Sequence, residues 1–429
     1  MKKLLLAFFV LFTAIVSAQE FKQPLAAIDL KDGDTLVFLG DSITHQCLYT
    51  QYIEDYFYTR YPDRRIRFHN AGVGGDRAAD ALARFDDDVA AFKPKYVTML
   101  LGMNDGSYTN FIPEIFNTYS TGMTELLDKL ATIGAAAIPM TPTMFDSRAM
   151  ELRAPKRPRY QYYNAVLAFY GTWLREVAGQ RGLGFVNMWT PLNDITGEQR
   201  KKDPKFTLIP DAIHPVADGQ VIMATSIIND MVPRSTVSGI IVSQQPKTGK
   251  FIVGAGNGKA TDLEATDTKI SFTFKANALP WVLPPDAALG TTLTHLGHRY
   301  SNEKITVRNL KPGKYELRID GQLIGAYLDG QLAFGVELEG NAKTPEYQQA
   351  LQVAKLNKER NEKGVKPLRD LWGKLKGKRR AGNQAELDKW LPEFKAGVAE
   401  KIALAKQYEE QIYQANKPVA RKYELTRVP

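Results

Sequence analysis

The sequence offers little that would link it to disulfide bonds or to a membrane. Its 429 residues include a single cysteine, Cys47, so an internal disulfide is excluded. We expect Cys47 to be a small apolar packing residue. Beyond residue 16, no apolar run reaches the roughly 20 residues that a membrane-spanning helix needs. With 44% hydrophobic and 24% charged residues, the composition is typical of a soluble globular protein, and the length predicts two or three packed units.

The N terminus has the pattern of a secretory signal peptide. Lys2 and Lys3 precede the apolar stretch 4–16, which ends in Val16-Ser17-Ala18. We therefore expect residues 1–18 to be removed and the protein to be exported, to the periplasm or the extracellular space.

The formal charge of +9 is concentrated near the C terminus. The stretch after residue 345 carries a net charge of about +8. It includes "WGKLKGKRR" (372–380), which we interpret as a solvated helical face rather than a polyanion-binding patch. We expect no nucleic-acid partner; an acylated small molecule or polysaccharide is the expected substrate.

Residues 24–235 alternate short apolar runs with longer amphipathic stretches. This alternation predicts a parallel sheet with helices on both faces, a three-layer α/β domain. The predicted strands are 35–40, 65–71, 96–102, 135–141 and 184–189. The predicted helices lie near 48–60, 77–92, 112–133, 160–181 and 216–231.

The remaining chain has two further patterns. Residues 237–340 alternate apolar and polar side chains between turn signals such as "KPGK", which predicts a small antiparallel β module. Residues 345–429 place apolar side chains at helical spacing among many charges, which predicts a helical C-terminal region.

A serine follows the first predicted strand, at Ser42 in "GDSIT". A hydroxyl is a poor nucleophile without a neighbouring base, and the chain has only five histidines. Of these, His214 lies in "PDAIHP" three residues after Asp211. That spacing lets a carboxylate orient the imidazole within one turn, so these residues predict a Ser-His-Asp triad.

Two other strand ends carry candidate donors for a developing oxyanion. "NAGVGGDRA" (70–78) is a glycine-rich turn with backbone N–H groups, and "LLGMNDGS" (100–107) contains the Asn104 amide. The backbone N–H of Ser42 is the third candidate. Simpler roles compete with these, because Ser42 can cap a helix, Asn104 can hold a turn and Asp211 can cap its loop.

These motifs resemble the SGNH, or GDSL-type, hydrolases. "GDSIT", "NAGVGGD", "GMND" and "DAIHP" look like the four ordered blocks of that family, over residues 34–232. The resemblance implies a flavodoxin-like α/β/α fold and serine esterase chemistry without a metal or cofactor. It also implies Gly75 as the glycine donor, beside Ser42 and Asn104.

The other candidate residues carry weaker signals. His45 and Arg148 are candidates for substrate contact, as are Arg153, Arg157 and Arg159 of the same loop. Asp41 and Asp105 are interpreted as residues that fix their loops. His295 and His298 are spaced like metal ligands but lack a third, so we expect no metal there.

The sequence thus predicts an exported serine esterase that removes O-acyl groups, O-acetyl in particular, from carbohydrates through an acyl-enzyme. One alternative is an SGNH hydrolase of the lipase, lysophospholipase or thioesterase type. A second is a non-catalytic glycan-binding protein on a hydrolase scaffold. The sequence does not indicate an oligomeric state.

Overall fold

The computed structural model describes residues 22–153 and 160–429, so the predicted signal peptide lies outside the described residues. Within those two ranges, no helix has both the length and the apolar character needed to cross a membrane.

A parallel sheet forms the centre of the first unit. Its strands are β1 (Thr35–Gly40), β2 (Arg67–Gly72), β3 (Tyr96–Leu100) and β4 (Ala136–Pro139). They lie in the order β2-β1-β3-β4, and every pairing is parallel. Every residue of β1 and β3 is buried, as expected for a parallel sheet covered on both faces. The predicted fifth strand is reduced to one parallel bridge between Met140 and Val186.

Helices connect and follow these strands. They are α1 (Ser42–His45), α2 (Leu48–Arg60), α3 (Ala78–Ala83), α4 (Phe85–Asp88), α5 (Pro113–Thr132), α6 (Ser147–Arg153), α7 (Tyr163–Arg181), α8 (Trp189–Arg200) and α9 (Ala217–Met231). Local sequence explains several ends: Pro113 opens α5 at a position that needs no N–H, and Gly182, at φ +66°, ends α7. The predicted α/β architecture is confirmed.

The β module consists of two sheets that enclose one apolar core. Its strands are β5 (Ser238–Gln244), β6 (Phe251–Gly256), β7 (Gly258–Ala265), β8 (Lys269–Ala276), β9 (Glu303–Arg308), β10 (Lys314–Ile319), β11 (Gln322–Leu328) and β12 (Val336–Glu337). Its short helices are α10 (Ala288–Leu293), α11 (Leu296–Tyr300) and α12 (Asp329–Phe334). We predicted an antiparallel module, but one pairing is parallel. Strand β9, which follows β8 after a long connection, pairs with β5 in parallel. Buried Val242, Phe272 and Leu317 belong to the core.

The C-terminal region is helical only in part. It contains α13 (Pro345–Arg360), α14 (Lys366–Ala381) and α15 (Gln384–Ala415), with a π-helical turn between α13 and α14. The chain then returns to the β module as β13 (Arg421–Arg427), the middle strand of the sheet β11-β10-β13-β8-β7. The prediction of a helical region over residues 345–429 was therefore wrong for residues 421–427, which form a strand. The signal was available, since Tyr423 and Leu425 alternate with polar residues and are buried in the β-module core.

The C-terminal helices pack directly on the α/β unit. Arg360 of α13 pairs with buried Glu54 of α2 at 3.0 Å, and Asn357 donates to Asp55 at 2.9 Å. Tyr413 of α15 accepts from the Ile66 N–H at 2.8 Å. The helical region is thus held against the α/β unit by buried polar contacts.

Three carboxyl groups are buried together between the β module and α13. Glu303, Glu339 and Glu346 are each less than 10% exposed, and the Glu303 N–H donates to Glu339 at 3.1 Å. Burial raises the pKa of Glu303 well above its usual value, the Glu346 and Glu339 carboxyls raise it further, and the charge of Arg60 opposes them. Burial thus favours the protonated form of Glu303 in the folded protein.

We expect Glu303→Gln to stabilise the protein at alkaline pH. Because the folded-state pKa of Glu303 lies above its unfolded value, the stability that it contributes is complete at acid pH and is lost as the pH rises through the folded pKa. The variant removes this loss, so its melting temperature should exceed that of the wild type by more at about pH 8 than at about pH 5. Glu264→Gln, on the exposed face of β7, is the control. A difference that is equal at both pH values would contradict a raised pKa.

Candidate active site

The predicted site residues meet at the carboxyl edge of the parallel sheet. Ser42 follows β1, a loop over residues 72–76 follows β2, and Asn104 lies just beyond β3. Asp211 and His214 lie in the loop before α9. Since β1 lies between β2 and β3, the first three segments adjoin at the kind of sheet edge where α/β proteins bind ligands.

The turn that carries Ser42 is fixed by Asp41. The Asp41 carboxylate accepts from the Ile43 N–H at 2.9 Å and caps α1. Burial raises the pKa of Asp41 to about 7, and the nearby Asp105 and Asp76 add to this effect, whereas the hydrogen bond from Ile43 opposes it. The turn also approaches Gly72 closely, because a Cβ there would lie 2.4 Å from the backbone nitrogen of His45. Asp41 therefore has the contacts of a loop-fixing residue.

Ser42, His214 and Asp211 form a continuous hydrogen-bonded chain. Ser42 Oγ lies 2.8 Å from His214 Nε2, and His214 Nδ1 lies 2.6 Å from Asp211 Oδ2. The other Asp211 oxygen accepts from the backbone N–H groups of His214 at 2.7 Å and Ile213 at 2.9 Å. The imidazole is thus oriented with one nitrogen on a carboxylate and the other on the hydroxyl, which lets it accept the serine proton.

Asp211 stays ionised in this arrangement. Burial alone would raise the pKa of Asp211, but the hydrogen bonds from His214 and Ile213 hold it below its usual value. A negative carboxylate next to an imidazole favours the protonated form of that imidazole.

The candidate oxyanion donors surround the same edge. Gly75 has φ +68°, a conformation that favours glycine. The Asn104 amide donates to the Asp76 carbonyl at 3.0 Å, and Tyr108 donates to Asn104 Oδ1 at 3.0 Å, which turns the amide N–H₂ toward the loop 72–76. Asp105 accepts from the Ala78 and Gly102 N–H groups, at 2.8 and 2.9 Å, and so ties the β2 and β3 loops together.

Helix α14 contacts the loop 72–76, and the sequence did not predict this contact. Arg369 donates to the Gly72 carbonyl at 2.9 Å, and Lys376 donates to the Gly74 carbonyl at 3.1 Å. Trp372 and Leu375 are buried with Val73. The interpretation of 372–380 as a solvated face was therefore wrong for part of this stretch. The apolar spacing of Leu368, Trp372 and Leu375 was the available signal, but it did not specify what the helix packs against.

His45 and Arg148 have different surroundings. His45 Nε2 lies 2.9 Å from Asp370 of α14, and burial lowers the pKa of His45. Arg148 is exposed and lines a cleft of about 280 Å³ with Arg200 and Pro210, next to the Asp211 loop. Arg153 lines the same cleft, whereas Arg157 and Arg159 lie outside the described residues.

The remaining candidates have other contacts. His298 pairs with Glu337 of the β module at 2.9 Å, and His295 is the N-cap residue of α11. Among residues 22–153 and 160–429, no cluster of three potential metal ligands is found. Cys47 is buried at the start of α2.

A hydroxyl, an imidazole and a carboxylate linked in this order at the edge of a parallel sheet form the arrangement found in serine hydrolases. The model of the GDSL-like Lipase/Acylhydrolase family matches residues 38–222. Over this part of the chain the protein is similar to the SGNH, or GDSL-type, hydrolases, and the family match together with the relative described below supports a carboxylic ester hydrolase.

Several known proteins resemble the chain, over different lengths. An acetylxylan esterase of Geobacillus stearothermophilus is 24% identical over 221 residues, which cover 46% of this chain and 94% of the relative. A crystal structure of the acetylxylan esterase Axe2 from the same organism matches 47% of this chain, at 23% identity and TM-score 0.39. The structure of a gut microbial diltiazem-metabolizing enzyme covers 94% of this chain and 99% of its own, with 25% identity and TM-score 0.82. That likeness extends over the β module and the C-terminal helices.

Proposed function

We propose that the protein is an exported serine esterase that removes O-acyl groups, O-acetyl in particular, from carbohydrates. The hydrogen-bonded chain Ser42–His214–Asp211, with contacts of 2.8 and 2.6 Å, is the observation that carries the proposal. The similarity to an acetylxylan esterase supports the choice of acetylated carbohydrate.

The proposed reaction has two displacement steps. His214 Nε2 takes the Ser42 proton as Oγ bonds to the ester carbonyl carbon, and the C=O electron pair moves onto the oxygen. Ser42 N–H, Gly75 N–H and the Asn104 amide stabilise that oxyanion. When the C=O bond re-forms, the C–O bond to the alcohol breaks, and the imidazolium protonates the leaving oxygen.

Water then hydrolyses the acyl-enzyme. His214 accepts a proton from water as the water oxygen attacks the acyl carbon, and the second tetrahedral species collapses with loss of the Ser42 oxygen. That oxygen regains its proton from His214, and the free acid leaves. None of these steps needs a metal or cofactor.

A cluster of exposed aromatic side chains favours the second candidate function, a lipase, lysophospholipase or thioesterase. Phe111 and Phe169 are each more than 40% exposed, and their rings lie 4.8 Å apart. Phe111 follows Tyr108, the residue that holds Asn104, by three positions. Such a surface can bind an acyl chain, although aromatic rings also stack on sugars.

A substrate panel distinguishes these functions. It contains acetylated xylo-oligosaccharides, short- and long-chain p-nitrophenyl esters, a lysophospholipid, an acyl thioester and diltiazem. We expect kcat/KM for acetyl esters to exceed that for long-chain esters by at least about 10-fold, because a pocket for acetyl cannot hold the longer chain. The opposite ranking would favour the lipase or thioesterase function. No turnover, with no labelling by a fluorophosphonate, would favour a glycan-binding protein.

Export belongs to the same proposal and has its own support. The pattern of residues 1–18 is that of a signal peptide with cleavage after Ala18. N-terminal sequencing of the protein recovered from the periplasm or the medium tests this, since an intact Met1 would contradict it.

A further inference from the structure

Lys376 of α14 lies beside the loop 72–76, although it belongs to a part of the chain beyond the matched family region. Its Nζ donates to the Gly74 carbonyl at 3.1 Å and to Asp76 Oδ1 at 2.7 Å. A Cβ placed on Gly75 would lie 3.9 Å from the same ammonium. The Lys376 side chain is only 15% exposed, so its position is well defined.

The carbonyl that Lys376 contacts belongs to the same peptide unit as the Gly75 N–H. Peptide bonds in the described ranges are all trans, and a trans unit directs its C=O and N–H in opposite directions. The ammonium therefore lies at the carbonyl end of the unit, and the N–H points away from it. A charged donor on the carbonyl oxygen polarises the unit and strengthens its N–H as a donor.

Other residues of α14 hold Lys376 in this position. Arg369, seven residues earlier, is fully buried and donates to the Gly72 carbonyl at 2.9 Å. Trp372 and Leu375 pack in one apolar cluster with Val73. Helix α14 thus contacts the loop 72–76 at Gly72 and at the peptide unit that joins Gly74 to Gly75.

We propose that Lys376 is a positioning residue that strengthens the Gly75 N–H for stabilising the oxyanion. This inference rests on the proposed function, in which Gly75 is an oxyanion donor. The effect operates through the peptide unit, so Lys376 itself need not touch the substrate. Asp76 shares the ammonium, so the effect of removing the charge should be smaller than that of removing an oxyanion donor.

The test compares Lys376→Met with Lys374→Met, which changes an exposed lysine of the same helix. For acetyl-ester hydrolysis, we expect Lys376→Met to lower kcat about 10-fold, below the 10²- to 10³-fold cost of losing a whole donor. KM should change by less than about twofold, because the strengthened hydrogen bond matters for the charged intermediate rather than for the bound ester. Lys374→Met should match the wild type, and Lys376→Arg should recover part of the loss.

A short-chain boronic acid provides a second readout. It forms a tetrahedral adduct with a catalytic serine and places an oxygen where the oxyanion develops, so its inhibition constant should rise with Lys376→Met by the same factor as kcat falls. Binding of the product alcohol should not change. A purely structural role would instead lower the melting temperature without this selective loss of boronate affinity.

Lys376→Gln, which keeps a neutral donor, covers the case in which the methionine variant does not fold. It should lie between Lys376→Met and the wild type. Wild-type kcat and boronate affinity in Lys376→Met or, failing that, in Lys376→Gln would overturn the inference while leaving the esterase proposal intact. Failure of the proposed function would show differently, as a wild-type protein that neither hydrolyses esters nor reacts with a fluorophosphonate, or as ester hydrolysis that survives Ser42→Ala.

Discussion

Ser42→Ala should lower kcat/KM for ester hydrolysis by about 10⁴-fold or more, with the fold unchanged. Without the hydroxyl, no acyl-enzyme can form, and the water reaction that remains is assisted only by the oxyanion donors. Ser42 Oγ has its hydrogen-bond partner at 2.8 Å in His214, so its loss removes the nucleophile and leaves the imidazole without its proton donor. Steady-state kinetics on an acetyl ester measures the effect.

His214→Ala should cost about as much as Ser42→Ala, and the double variant should cost no more than either. This non-additivity is expected because the hydroxyl and the imidazole act as one unit. A fluorophosphonate should label the wild type and fail to label Ser42→Ala. Ser120→Ala, on α5, is the matched control and should retain wild-type activity and labelling. Survival of most of the activity in Ser42→Ala would remove the triad from the mechanism.

Asp88→Asn should destabilise the protein by about 3–5 kcal/mol, the usual cost of breaking a buried ion pair from one side. Asp88 is fully buried and accepts from Arg84 at 2.6 Å and from Arg369 at 2.8 Å, with a second, shorter contact to Arg369. His69 lies 3.0 Å away. The amide would leave two buried guanidinium groups without their shared counter-charge.

The loss of stability in Asp88→Asn should be smaller at acid pH than at neutral pH. Burial alone would raise the pKa of Asp88, but Arg369, His69 and Arg84 hold it well below its usual range. The folded-state pKa is thus lower than the unfolded value, so the stabilisation is complete at neutral pH and declines as the pH falls below about 4. Urea unfolding at several pH values measures the difference from the wild type.

Asp128→Asn is the control for this prediction. Asp128 pairs with Arg181 at 2.6 Å on the surface, where the carboxylate is 62% exposed. Exposed pairs contribute about 0–1 kcal/mol, so this variant should unfold much like the wild type. If both variants cost the same, Asp88 does not stabilise the contact between α14 and the α/β unit in the way that its burial suggests.

The sequence was most informative where a local pattern has one structural meaning. Apolar runs between amphipathic stretches predicted β1, β3 and the helices α2, α5, α7 and α9, because strand and helix periodicities differ. The order of the motifs identified the strand ends that carry Ser42 and Asn104. The alternation of apolar and polar residues over 421–427 likewise indicates a strand. We predicted a helical region there because the residues before it have helical spacing.

The contacts of α14 had no comparable local signal. A helix with buried Leu368, Trp372 and Leu375 needs an apolar partner, but the sequence does not specify which surface supplies it. Arg369 lies 281 residues from Asp88, and Lys376 lies 302 residues from Gly74. From the sequence alone, such charged residues are interpreted as solvent-exposed, because the partners that they contact in the folded protein are far away along the chain.

By itself, the sequence determined the α/β architecture and placed the candidate nucleophile, base and carboxylate at strand ends and in one loop, because hydrophobic periodicity and short motifs are local properties. Only the tertiary structure decided that a C-terminal helix supports the loop 72–76 and that the last strand completes the β module. Those contacts join residues more than 100 positions apart in the chain. Their energy comes from burial and charge pairing that exist only after the chain has folded.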